Sequence, residues 1–106
     1  MNDYKAELSR AIAHMHGAPA VWLATVPVRE VFQGQTAWEG DVETFTLTGH
    51  PKASQCYAWG VRRDDDKGWD VTAVLAIPPV TSPETAVKAA IAAYAKQHIH
   101  QPSRKP

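Results

Sequence analysis

Gln55-Cys56-Tyr57-Ala58-Trp59-Gly60-Val61-Arg62-Arg63 is the stretch on which the fold turns. Successive side chains of an extended chain point to opposite faces, so Tyr57, Trp59 and Val61 share one face and Cys56, Ala58 and Gly60 the other. Asp64-Asp65-Asp66-Lys67-Gly68 then reads as a turn, and Trp69 to Ile77 as a further strand. In that strand Trp69, Val71, Ala73, Leu75 and Ile77 share a face, while Asp70 and Thr72 point the other way. A short turn between two such strands makes them antiparallel neighbours.

Upstream, Ala20 to Thr48 is rich in Val, Thr, Phe and Trp, residues that suit a pleated, half-buried surface. Val28-Arg29-Glu30-Val31-Phe32 predicts one strand, Gln33-Gly34-Gln35 a hairpin turn, and Thr36 to Leu47 a long returning strand. Gly40 is expected to interrupt the second of these with a bulge or bend. Pro27 has no N–H to give to a ladder and marks an edge, a bulge or a strand start. Whether residues 20–27 form regular strand is left open by the sequence.

The ends of the chain read as helices. Asn2 or Asp3 can cap the first, and Gly17 with Pro19 can stop it. Tyr4, Leu8, Ile12 and Met15 recur at helical spacing and predict its buried stripe. Pro78-Pro79 closes the strand region, and Thr81-Ser82-Pro83-Glu84 is a helix start: Ser82 as cap with Pro83 in the first position, or Thr81 and Glu84 as a capping box. Ala86 to Gln97 is Ala-rich, with Val87, Ile91 and Tyr94 as the expected stripe.

The predicted architecture is a single α+β domain over residues 1–98, followed by a flexible tail over 99–106. Its order is α-β-β-β-β-α, or α-β-β-β-α if the first strand is irregular. Both helices are expected on one face of an antiparallel three- to four-stranded sheet, the simplest two-layer solution. The shorter order resembles the element order of double-stranded-RNA-binding domains. That resemblance implies phosphate contacts from lysines at the start of the last helix. Here Thr81-Ser82-Pro83-Glu84-Thr85-Ala86-Val87-Lys88 supplies one acid and a single lysine, too little cationic charge to drive association by counterion release.

Composition narrows function further. With 11 Lys+Arg against 11 Asp+Glu the formal net charge is zero, which removes any global pull toward nucleic acid or anionic membrane. At 44% hydrophobic residues the chain has material for a core. Cys56 is the only cysteine, so an intrachain disulfide and a cysteine-based zinc cluster are excluded. Met1-Asn2-Asp3-Tyr4-Lys5 opens polar, with no apolar leader, and no run approaches the ~18 apolar residues of a membrane span. The expected location is the cytoplasm.

Chemistry-bearing constellations are sparse. His14 with His16 and His98 with His100 are the close histidine pairs, but a two-residue spacing on a helix places side chains on nearly opposite faces. Asp64-Asp65-Asp66 lacks the alternation and closing glutamate of a calcium loop. Neither a metal nor a cofactor is expected. Ser54 and Ser82 lack a nucleophile-elbow context, and Gly34, Gly40, Gly49, Gly60 and Gly68 are too dispersed for a phosphate loop.

Thr48-Gly49-His50-Pro51-Lys52-Ala53-Ser54-Gln55-Cys56-Tyr57-Ala58-Trp59 concentrates turn formers, a titratable histidine and two aromatics. The candidate binding surface is therefore His50, Lys52, Tyr57, Trp59, Arg62 and Arg63. With one sheet face left uncovered, the expected role is a small non-enzymatic module that binds a protein partner or itself, as a homodimer. Two alternatives use the same segment. Tyr57 and Trp59 with Arg62 and Arg63 could stack and pair with single-stranded nucleic acid, and His50 with Cys56 could form a small-ligand or catalytic site.

Overall fold

The computed structural model describes residues 3–64 and 68–99. Six elements follow one another: α1 (Asp3–His16), β1 (Ala20–Phe32), β2 (Gln35–Leu47), β3 (Gln55–Arg62), β4 (Trp69–Leu75) and α2 (Pro83–Ile99). The four strands form one open antiparallel sheet in the order β1-β2-β3-β4. The chain is thus α+β with the longer of the two expected orders. The three-strand order, and with it the likeness to double-stranded-RNA-binding domains, does not describe it.

Local chemistry accounts for the element boundaries. Gly17 adopts φ 71°, a left-handed conformation open to glycine, and ends α1 by donating its N–H to the Ala13 carbonyl at 2.9 Å. Gln33 and Gly34, at φ 53° and 77°, are the two central residues of the β1–β2 hairpin, whose primed geometry matches the twist of its strands. Gln35 belongs to β2 rather than to the turn. At the start of α2 the Ser82 and Thr85 side chains cap each other's backbone: Thr85 N–H donates to Ser82 Oγ at 3.2 Å and Ser82 N–H to Thr85 Oγ1 at 2.9 Å. The capping pair is therefore Ser82 and Thr85, with Pro83 in the first turn, and not Thr81 with Glu84.

Residues 20–27 are strand, so β1 begins at Ala20 and not at Val28. Gly40 pairs with Val28 without interruption; the irregularities fall instead between Trp22 and Ala24 and between Glu30 and Val31. β4 stops at Leu75, short of Ile77, and α2 runs on through Ile99. The remainder of the expected tail, 100–106, and the 65–67 part of the aspartate turn lie outside the described residues. Two of the predicted stripe positions do not face the core: Met15 and Tyr94 are exposed.

The main correction concerns the layers. Leu8 and Ile12 of α1 pack with Phe45 of β2 and with Cys56 and Ala58 of β3, joined by Val71, Ala73 and Leu75 of β4. Ala86 and Val87 of α2 pack instead with Val28, Val42, Tyr57 and Trp59. Cys56 and Ala58 alternate with Tyr57 and Trp59 along one strand, so the helices cover opposite faces of the sheet. The expectation of both helices on one face fails because β3 is apolar on both of its faces. Small side chains there fit beneath α1, while aromatic ones need the second helix to remove them from water.

Polar contacts fasten each helix on its own side. His16 Nε2 lies 3.2 Å from the Ala73 carbonyl, and Ser9 Oγ donates to the Ala20 carbonyl at 2.6 Å. On the other face Lys88 of α2 pairs with Glu30 of β1, whose carboxylate is nearly buried.

Leu8 and Val87 therefore occupy separate cores. Leu8→Ala is expected to cost about 2–5 kcal/mol, and Val87→Ala a smaller amount. In urea denaturation the double variant should lose the sum of the two single losses to within about 0.5 kcal/mol. A larger departure from additivity would place the two side chains in one core.

Candidate functional site

The surface expected from the sequence does not assemble. Tyr57 and Trp59 are 4% and 6% exposed beneath α2. Trp59 also meets Trp38 edge-on, with ring centroids 5.4 Å apart. Neither ring offers a face on which a base could stack. Arg62, Arg63 and Lys52 remain exposed, and Arg62 lies over the Trp69 ring at 5.3 Å. His50 serves its own loop: Nδ1 accepts the backbone N–H groups of Lys52 and Ala53 at 3.0 and 3.1 Å. These bonds fix the tautomer with the proton on Nε2, and they spend the nitrogen on turn formation.

Cys56 is fully buried in the α1 core as a free thiol. Burial pushes its pKa up to about 12, so the reactive thiolate is suppressed. A nucleophilic pair of Cys56 and His50 has neither a thiolate nor a free acceptor on the imidazole. Among the described residues no group of three or more His, Cys, Asp and Glu is arranged to hold a metal ion. The His98 side chain and His100 lie outside the described part. Among the described residues, too, no helix is long and apolar enough to cross a membrane.

Two other features stand out. The first is β1, an edge strand. Val21, Trp22 and Leu23 near its start and Val31 and Phe32 at its end are all exposed, Phe32 by 67%. Leu23 is the extra residue of the bulge between Trp22 and Ala24.

The second is a cleft of about 520 Å³ between β2 and β3. These strands pair only over Glu43–Thr46 and Gln55–Ala58. Continuing that register would put Asp41 opposite Gly60, but Gly60 N–H donates instead to the Tyr4 hydroxyl at 2.8 Å. Tyr4 thus stands in for the missing strand partner, and the ladder parts around it. A glycine is needed there, since a Cβ at position 60 would lie 3.3 Å from the Tyr4 ring and 3.4 Å from Trp69. Opposite, the Trp38 indole lies across Gly40, where a Cβ would come within 3.1 Å of it.

Among the residues that line the cleft is Glu43, 4% exposed. Its Oε1 accepts Trp22 Nε1–H at 2.8 Å and the Thr25 hydroxyl at 2.5 Å. Burial first, and then the Glu43 and Asp41 carboxylates, raise the pKa of Tyr4, against the opposing effect of the Gly60 N–H. Glu43 stands between Val42 and Thr44 in the strand and carries no motif that marks it as buried. The available signal was Thr25 and Trp22 upstream, two donors whose pairing with Glu43 depends on strand register.

No protein-family model matches the chain, and neither does any curated protein or solved structure.

The buried thiol makes a pH test possible. Its folded-state pKa lies above the ordinary value of 9.0, so its contribution to stability is intact below about pH 9 and is lost as the pH rises toward about 12. Burial raises Tyr57, and Tyr4 likewise, which adds in the same direction. Urea stability should therefore fall on going from about pH 7 to about pH 11, and the fall should be shallower in Cys56→Ala. An equal slope in both proteins would show that the thiol ionises as freely folded as unfolded.

Proposed function

We propose that this chain is a small, non-enzymatic association module that pairs with a second copy of itself through the edge of β1. The supporting observation is where its exposed apolar side chains lie. Val21, Trp22, Leu23, Val31 and Phe32 are on this strand, whereas Met15, Val61, Ile77 and Tyr94 are scattered over the rest of the described surface. Large apolar side chains gathered on one exposed element are what a contact site provides.

The arrangement of β1 favours a closed pair. Its apolar clusters sit at opposite ends, so antiparallel approach of two copies brings the Val21–Leu23 end of each beside the Val31–Phe32 end of the other. Such a two-fold contact is self-complementary and consumes both edges. Pro27, without an N–H, and the bulge at Leu23 make the strand a poor template for unlimited strand addition. A net charge of zero leaves little repulsion between copies. We place the module in the cytoplasm, a reading supported by a single cysteine kept as a buried free thiol.

Size-exclusion chromatography with light scattering tests the pairing. The expected result is a mass that rises with concentration to twice that of one chain. Leu23→Glu or Phe32→Glu should raise the dissociation constant at least about tenfold, a loss of ~1.4 kcal/mol, with an unchanged far-ultraviolet spectrum. A parent protein that stays monomeric at high concentration would overturn the proposal.

A further inference from the structure

The sheet has a second edge, β4, which self-pairing through β1 leaves unexplained. Two bonds fix which of its backbone groups turn outward. Ala76 N–H donates to the Gln55 carbonyl and Arg63 N–H to the Gly68 carbonyl, each at 3.0 Å. Both belong to the register that pairs Cys56 with Leu75 and Arg62 with Trp69. Bonds across one antiparallel pair of strands recur at every second residue. Asp70, Thr72 and Val74 therefore bond toward β3, while Val71, Ala73 and Leu75 turn their N–H and carbonyl groups away from the sheet.

A row of outward backbone groups is a template for a further strand, yet this one is largely occupied. His16, the last residue of α1, reaches the edge, where its Nε2 lies 3.2 Å from the Ala73 carbonyl. A carbonyl accepts, so Nε2–H donates, and the imidazole stands against the oxygen that an added strand would need. Two residues on, Ile77 N–H donates to the Leu75 carbonyl at 2.9 Å. Pro78 and Pro79 follow, with no N–H to continue a ladder. An added antiparallel strand exchanges a pair of bonds with each outward residue. Of these three, Val71 alone keeps both its groups for that exchange. On β1, among the described residues, the one carbonyl taken by a helix is that of Ala20, which accepts from Ser9 Oγ at 2.6 Å.

We infer that β4 is a closed edge guarded by His16, so that a second copy joins β1 to β1 and never β1 to β4. This rests on the pairing proposed above and defines its geometry. Joining β1 of one copy to β4 of the next is a head-to-tail contact that repeats without end. With β4 closed, association is two-fold and stops at two copies.

Backbone amide exchange and light scattering on the full chain test the guard. In the parent, amides on the outer side of β1 should slow as concentration rises, while Val71 N–H exchanges at one rate throughout. Slowing at Val71 in the parent would put β4 in the contact and overturn the inference. His16→Ala removes the donor and the ring. With an unchanged far-ultraviolet spectrum, its mass should reach at least about twofold that of the parent at the same high concentration, with Val71 N–H newly protected. His16→Gln, whose amide can still donate to the Ala73 carbonyl, should keep the parent mass. So should His14→Ala, an exposed position in the same turn of α1. Adding Phe32→Glu to His16→Ala separates the two contacts: β1 amides lose their protection and Val71 keeps it. A monomeric parent would remove the pairing, and a rise in mass on His16→Ala would still support the guard. A folded His16→Ala protein with the parent mass at every concentration would overturn the guard, as would His16→Gln associating as far as His16→Ala.

Discussion

From Cys56 to Trp59 strand β3 is buried on both sides, and that constraint organises the rest of the molecule. Cys56 and Ala58 are flush against α1, and Tyr57 and Trp59 are flush against α2. A strand with one wet face could have left the second helix free to settle anywhere. Here the aromatic pair must be removed from water, and its size demands a partner of low bulk. The Ala-rich face of α2 meets that demand: Ala86 and Val87 are fully buried on it, with Ala89 and Ala90 alongside. On the other side, where the β3 residues are small, α1 brings the bulk in the form of Tyr4, Leu8 and Ile12. Large meets small on each face, which is how close packing is reached without voids.

With both faces covered, the chain has its edges and its seam left for contact. The edge is β1, which carries apolar side chains into solvent at both ends. The seam is the line where β2 and β3 part around the Tyr4 hydroxyl. The two features differ in kind. One is an exposed apolar edge, and the other a cleft lined by carboxylates and aromatic side chains. They meet at Trp22, which is exposed on the edge and also donates its indole N–H to Glu43.

Much of the fold was legible because local signals carried it. The order of elements, the Ser82–Pro83 start of α2, the turn at Gln33-Gly34 and the Leu8 and Ile12 stripe all follow from backbone preference and spacing. The face to which α2 is assigned was not, since alternation alone says which residues share a face and not which faces are dry. The continuous apolar run from Cys56 to Trp59 is the sign of a doubly buried strand segment, and it outweighs the convention of one wet face. The site was less legible still. Tyr57 and Trp59 looked like a binding surface and are core, His50 looked like a site residue and is a turn residue, and Glu43, which no motif marks, is buried. Each of these outcomes depends on which strand or helix lies alongside, a matter of register and tertiary packing beyond any one segment.

Helices α1 and α2 cover opposite faces of the sheet, and nuclear Overhauser effects between side chains read that arrangement directly. Val87 methyl protons should show cross-peaks to the rings of Tyr57 and Trp59, while Leu8 and Ile12 methyl protons show them to Phe45 and Ala58. Cross-peaks from Val87 to Phe45 or Ala58 would place both helices over the same face and contradict the account.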